Sequence, residues 1–124
     1  MNYRSVIFAS HLVFGLAWIV MGYLGLKQKL SIELYNGLKA LAIAIIAYHG
    51  YKLATDSAKY HRFVYLFHVV VIAGILLYLG INNYKSSPNV YYVMMVLGSL
   101  AVVYHGYRLR QEMKTVNSQP VEVI

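Results

Sequence analysis

The chain of 124 residues contains no cysteine. That absence excludes a disulfide framework and any thiolate metal site. Acidic residues are almost as scarce, with four Asp and Glu against eleven Lys and Arg. The four are Glu33, Asp56, Glu112 and Glu122, and they fall in loops, at the edge of an apolar run or in the C-terminal tail. No paired intramembrane carboxylate, no Ser–His–Asp set at helix spacing, no phosphate loop and no Gly-Tyr-Gly filter can be read from the chain. It is therefore expected to be no enzyme, and the sequence identifies no small-molecule substrate. Small four-span multidrug transporters are similar in length, but they depend on a carboxylate in the first span, which this chain lacks.

Charge of either sign is sparse too. Charged residues make up 12% of the chain, hydrophobic residues 60%, and the mean hydropathy is +0.55. A soluble domain carries about 25% charged residues. The deficit is what a chain solvated by lipid shows. The net charge of +7 would suggest nucleic acid in a soluble protein. Here the basic residues flank apolar runs and form no stripe on a polar helix face. They fit membrane topology and anionic headgroups, with no nucleic-acid partner expected.

Four apolar runs are present. Residues 6–26, 32–53, 63–82 and 88–109 each approach the roughly 20 residues needed to cross the hydrocarbon core at 1.5 Å per residue. The first is too long for a signal peptide and has no small-residue cleavage site before a polar start. The second is interrupted by Lys39. Ser86-Ser87-Pro88 reads as a helix start, with hydroxyl caps and then Pro where its missing N–H does no harm. Short loops make consecutive spans antiparallel neighbours. The expected fold is all-α: a four-span transmembrane helix bundle over residues 1–110, followed by a polar tail over 111–124 that lacks helical periodicity and is flexible or docked on a partner.

Basic residues orient the bundle. Arg4, Lys52, Lys59, Arg62, Arg108, Arg110 and Lys114 share one side, and Lys27, Lys29 and Lys85 the other. The positive-inside rule places both termini in the cytoplasm or its equivalent. The thirteen tyrosines divide between the two membrane levels, as two aromatic belts would.

The chain also repeats itself. Tyr48-His49-Gly50-Tyr51-Lys52-Leu53 returns 56 residues later as Tyr104-His105-Gly106-Tyr107-Arg108-Leu109, and Tyr23-Leu24-Gly25 returns 55 residues later as Tyr78-Leu79-Gly80. Each copy spans two helices. The expected architecture is therefore two parallel-repeat helical hairpins related by a pseudo-two-fold axis along the membrane normal. Helices associate in lipid through small residues. The expected contacts, within a compact bundle or in docking to other membrane helices, are Ala40, Ala44, Ala47 and Gly50 in the second span, and Gly98, Ala101 and Gly106 in the fourth.

Histidine is the open question. His11, His49, His68 and His105 lie inside the spans, and the antiparallel arrangement puts them near one level of the bilayer, with His61 at the adjacent surface. Intramembrane ionisable groups are functional candidates. Paired neutral imidazoles are haem ligands in helix bundles; zinc or copper ligation and proton relay are the other chemistries. The plainer expectation is a polar layer with no cofactor. In it His49 and His105 are wetted among tyrosines, while His11 and His68 hydrogen-bond across helices to Ser10, tyrosines or each other. With no carboxylate in the layer, a metal-bound imidazole would need backbone or water to orient it. Lys39, about 10 Å inside the second span, is expected to snorkel outward.

In the second hairpin, Leu66-Phe67-His68 is followed by Leu76-Leu77-Tyr78-Leu79-Gly80, Pro88, Tyr91-Tyr92, Leu97-Gly98 and Val103-Tyr104-His105-Gly106-Tyr107-Arg108-Leu109. This order, over about a third of the chain, resembles small hydrophobic proteins of large DNA viruses of algae and other protists. The resemblance implies a virion internal-membrane component, or a minor capsid protein joining that membrane to the shell. Its partners would be the bilayer and other membrane or capsid proteins. The function expected first is thus structural. Second comes a bis-histidine haem- or metal-binding electron-transfer subunit using His11, His49, His68 and His105, and third a small channel or proton-conducting protein.

Overall fold

The computed structural model describes residues 2–118, and among them the only regular structure is helical. Four helices follow one another. They are α1 (Tyr3–Leu26), α2 (Ile32–Thr55), α3 (Lys59–Lys85) and α4 (Pro88–Asn117). Three of them, α1, α3 and α4, are long and apolar enough to cross a membrane. Helix α2 has 24 residues but carries Glu33, Lys39 and Lys52, and is not among the three.

Local chemistry sets the boundaries. The Asn2 side chain accepts the Ser5 amide at 2.8 Å, so α1 starts at Tyr3, three residues before the apolar run. The Ser31 hydroxyl accepts the Leu34 amide at 3.2 Å, and Glu33 lies in the first turn, where the helix dipole favours a negative charge. Helix α4 starts at Pro88, as the sequence predicts. The expected hydroxyl capping is absent at Ser86, whose Oγ is buried without a hydrogen-bond partner.

The tail departs from expectation. Residues 111–117 continue α4, and residues 119–124 lie outside the described residues. Gln111, Glu112, Met113 and Lys114 are good helix formers. Glu112 reaches Arg4 of α1 at 3.6 Å, and the Thr115 hydroxyl donates to the Gln111 carbonyl. Helical preference and these contacts outweigh the lack of apolar periodicity.

The chain falls into two compact units, one of residues 1–26 with 91–124 and one of residues 27–90. In the first, α1 and α4 meet along glycine. Gly15, Trp18, Gly22 and Gly25 are all buried along one stripe of α1, and α4 presents Tyr91, Met94 and Gly98, also buried. A Cβ placed on Gly98 would stand 2.7 Å from the Gly15 carbonyl oxygen, and one on Gly22 2.7 Å from the Tyr91 carbonyl oxygen. The backbones touch, which only glycine permits.

The second unit packs α2 on α3 through side chains. Tyr35, Leu38 and Ala42 form the buried face of α2, and Ala73, Leu76, Leu79 and Gly80 that of α3. The small-residue stripe expected on α2 is turned outward. Ala40, Ala44 and Ala47 are exposed, and a Cβ on Gly50 would meet nothing within 4 Å. Tyr35 and Leu38 offer α3 more van der Waals contact than the alanine methyls of the other stripe would. In α4 the expectation fares better: Gly98 is a contact, Ala101 lies beside Gly15, and Gly106 has only an ordinary contact with Leu12.

Two further expectations change. Lys39 does not simply point outward, because its Cβ and Cγ lie against Gly80 of α3, so that its stem is part of the helix contact. Nor are all thirteen tyrosines belt residues. Tyr35 is 1% exposed and set edge-on to Tyr84 at 5.3 Å, while Tyr91 is 4% exposed with its ring over Gly25.

Candidate histidine sites

The histidines are brought together in two pairs, one inside each unit. In the second unit, His49 continues the inner face of α2 two turns beyond Ala42. His68 reaches the facing side of α3 by a departure from regular helix. Residues His68–Ile72 form a π turn, and the Ala73 amide donates to the His68 carbonyl, five residues back. In a regular α-helix, residues five apart point about 140° apart. The extra residue of the π turn brings His68 above buried Ala73 instead, on the face that meets α2. Such turns are uncommon and concentrate at functional sites.

The two rings stack at 4.5 Å between centroids, with 6° between their planes. His49 Nδ1 lies 3.1 Å from the Ile45 carbonyl oxygen, and His68 Nδ1 lies 2.7 Å from that of Val64. A carbonyl oxygen only accepts, so each Nδ1 carries the hydrogen and donates it. In the neutral ring the basic lone pair is then on Nε2. Aromatic edges fix the rings laterally: Tyr48 stands at 88° to His49 at 5.0 Å, and Phe67 at 84° to His68 at 6.0 Å.

In the first unit, His11 of α1 meets His105 of α4 at 4.8 Å with the planes tilted by 39°. His11 Nδ1 donates to the Ile7 carbonyl at 2.8 Å. Tyr104 lies edge-on to His105 at 5.0 Å, and the Arg108 guanidinium sits 5.2 Å from the Phe8 ring centroid, a cation–π contact at this end of the unit. All four histidines are half-buried. The expected cross-helix hydrogen bonds of His11 and His68 are replaced, at Nδ1, by bonds to each residue's own helix. The Ser10 hydroxyl likewise turns to its own backbone, donating to Val6 at 2.7 Å.

A third cluster was not anticipated. Asp56, between α2 and α3, accepts the Ala58 amide at 2.9 Å, His61 Nδ1 at 3.1 Å and the Tyr65 hydroxyl at 3.2 Å. The Ala58 amide above all, with help from His61 and Tyr65, holds the Asp56 carboxyl below its ordinary pKa. An Asp three residues before a helix start is a recognisable Asx-turn signal, its side chain accepting the amide two residues on. The contacts of His61 and Tyr65, five and nine residues on, follow only once α3 has formed.

Chemically, a backbone-anchored Nδ1–H is the outer contact that orients a metal-ligating imidazole. The orientation that the missing carboxylates would have given is supplied by helix carbonyls. Axial haem ligation is a different matter, since it points two imidazoles end-on at one iron from opposite sides of a porphyrin. Rings in face contact at 4.5 Å, or tilted contact at 4.8 Å, leave no gap for a porphyrin within either pair. No protein-family model, curated protein or solved structure matches the chain.

Proposed function

We propose that the chain is a non-enzymatic, structural integral membrane protein that crosses the bilayer four times with both termini on the cytoplasmic side, and that packs against other membrane or capsid proteins. The observation that carries this reading is where the apolar surface lies. Val13 and Val20 of α1, Ile43 of α2, Val70 of α3 and Val96 and Val103 of α4 are each more than half exposed. In water such faces would drive aggregation, whereas in a bilayer they contact acyl chains at no cost. A parallel repeat is supported by one buried equivalence at the offset of the repeated tetrad and by a likeness of pairing. Buried Tyr35 and Tyr91 stand 56 residues apart, and each histidine pair joins one odd-numbered to one even-numbered helix. The virion membrane as its setting rests on the resemblance of the second hairpin alone.

The chain's lack of cysteine makes topology directly measurable. Single substitutions Gln28→Cys, Ser57→Cys and Ser87→Cys are labelled with a membrane-impermeant maleimide in sealed vesicles. The four-span reading expects Ser57 on one side, and Gln28 and Ser87 on the other. Gln28 and Ser57 reacting from the same side would remove α2 as a span. Fractionation with virion membrane and capsid proteins supports the structural role, and robust solute flux through the purified protein in liposomes counts against it.

A further inference from the structure

We infer that Lys39 anchors a phosphate-binding site at the end of the α2/α3 unit that carries the α3–α4 connection, and that the phosphate it takes is a membrane-lipid headgroup. Lys39 is half-buried in the helix seam, with Cβ and Cγ against Gly80 of α3. Packing alone does not call for its charge. Met95, 56 residues further on, lays its Cγ on Gly22 in the other unit and fills the same kind of contact without one. Neither ion pair found among the described residues involves Lys39. Glu33, the nearest acid in sequence, projects from another side of α2, since helical residues six apart point about 120° apart. A charge placed this way inside a span is a functional candidate.

The direction of the stem sets where the ammonium goes. A helical side chain leaves the backbone tilted toward its own helix N-terminus. For α2 that is the end where antiparallel α3 finishes. Asn83 lies three residues beyond Gly80, about 4.5 Å further along, a span that Cδ, Cε and Nζ can cover. Two buried oxygens there have no hydrogen-bond partner, Oδ1 of Asn83 and Oγ of Ser86. Ser86 is 8% exposed. The turn that holds them is fixed by the Ser86 amide, which donates to the Asn83 carbonyl at 3.1 Å, and by the Ser87 amide, which donates to the Tyr78 hydroxyl at 3.1 Å. Buried oxygens without partners are uncommon and costly. An ammonium carries three hydrogens. Rotation about the outer bonds of Lys39 gives two of them to Asn83 and Ser86, and the third remains for an acceptor from outside the chain.

Charge and depth choose the ligand. Phosphate oxygens only accept, and they carry the charge that Lys39 lacks a partner for. Lys39 sits about 10 Å inside its span, and a stem of its length brings the ammonium up to headgroup level. Exposed Lys85 adds positive charge at the same end. The depth rests on the four-span reading proposed above, which the cysteine labelling tests by itself.

A lysine that merely packs and snorkels is the competing explanation. Lys39→Met separates the two, because it keeps the stem contact, as Met95 does on Gly22, and removes only the ammonium. The full-length chain in detergent is titrated with dihexanoylphosphatidylglycerol, with dihexanoylglycerol, which has no phosphate, and with inorganic phosphate. Binding is read from the melting temperature and from native mass spectrometry. The expected result is one retained phosphatidylglycerol, no retained dihexanoylglycerol, and an affinity about tenfold or more weaker in Lys39→Met. Lys85→Met removes an exposed charge and should cost about fivefold at low salt. That loss should vanish in about 0.5 M salt, whereas the Lys39 loss persists. Ser86→Ala should weaken the lipid in the parent but not in the Lys39→Met chain. Lys39→Gln, also uncharged, serves where Lys39→Met does not fold. Inorganic phosphate bound as tightly as the lipid would make a free ion the ligand and overturn the headgroup assignment. Equal lipid binding by Lys39→Met, or a Lys39 loss that disappears in salt as that of Lys85 does, overturns the site.

Discussion

The two units solve one problem, holding a pair of helices with a histidine pair between them, in different ways. In the α1/α4 unit the helices approach until backbones touch at Gly15, Gly22 and Gly98, and the imidazoles of His11 and His105 meet at a tilt of 39°. In the α2/α3 unit the seam is filled by Tyr35, Leu38, Leu76 and Leu79, while Gly37, Gly50 and Gly74 have nothing within 4 Å of a Cβ. There the imidazoles of His49 and His68 lie parallel, and α3 carries a π turn to make them so. Glycine in a membrane helix is thus not by itself a contact signal. What counts is whether it falls on the stripe that faces a partner.

The sharpest way to break the comparison is Gly98→Ala. Its Cβ would meet the Gly15 carbonyl oxygen at 2.7 Å and the Ile19 amide nitrogen at 3.1 Å, both backbone atoms that yield only if the helices move apart. A loss of about 2–3 kcal/mol is expected from overpacking, read as a lower midpoint of unfolding in mixed micelles. No change would mean that α1 and α4 do not meet as described. Next in size is Gly80→Ala in the other unit, where the obstruction is mainly the Lys39 side chain. About 1–2 kcal/mol is expected, with part of it recovered in the Lys39→Ala background because Cγ is then gone. A double-mutant cycle measures that coupling, and strict additivity would show that the Lys39 stem does not lie on Gly80. Smaller and opposite in sign is Gly74→Ala. With open space around it, this substitution should stabilise α3 by about 0.5–1 kcal/mol through helix preference alone. The same substitution thus changes sign between the two seams.

These contrasts show what the sequence could and could not say. Apolar run length placed the first three helices to within four residues at each end and the start of α4, because an apolar run is local to its segment, but it missed the eight further residues by which α4 continues to Asn117. The Asn2 cap accounts for the earlier start of α1. Which face of α2 meets α3 was not legible, because Ala40, Ala44 and Ala47 form as regular a stripe as Tyr35, Leu38 and Ala42. Only the surface offered by α3 decides between them. The histidines were legible as residues of interest, but their pairing was not. His68 sits two positions after Leu66 with no turn residue nearby, and nothing local predicts the π turn that redirects it. Asp56 was read as a plain loop acid for the same reason, since its partners depend on how α3 begins.

The smallest expected effect concerns the α2–α3 connection, which has no counterpart in the α1/α4 unit. Asp56 is ionised more readily in the folded chain than in the unfolded one, because the Ala58 amide foremost, and His61 and Tyr65 after it, favour the carboxylate. A group with a depressed folded pKa contributes stability that is fully present above its unfolded pKa, about 3.9 for Asp, and is lost as pH falls through the folded value. The melting temperature of the parent should therefore fall between pH 5 and pH 2 slightly more steeply than that of Asp56→Asn, and the two curves should run parallel above pH 5. Tyr65→Phe, which removes the hydroxyl at 3.2 Å and leaves the two nitrogen donors, should lie between them. If the Asp56→Asn curve were as steep as the parent's, Asp56 would not be held as described, and the start of α3 would owe nothing to it. The three donors converge on one carboxylate that solvent still reaches, its side chain 28% accessible, and solvent screens each contact. The connection is therefore expected to fray before either helix pair separates.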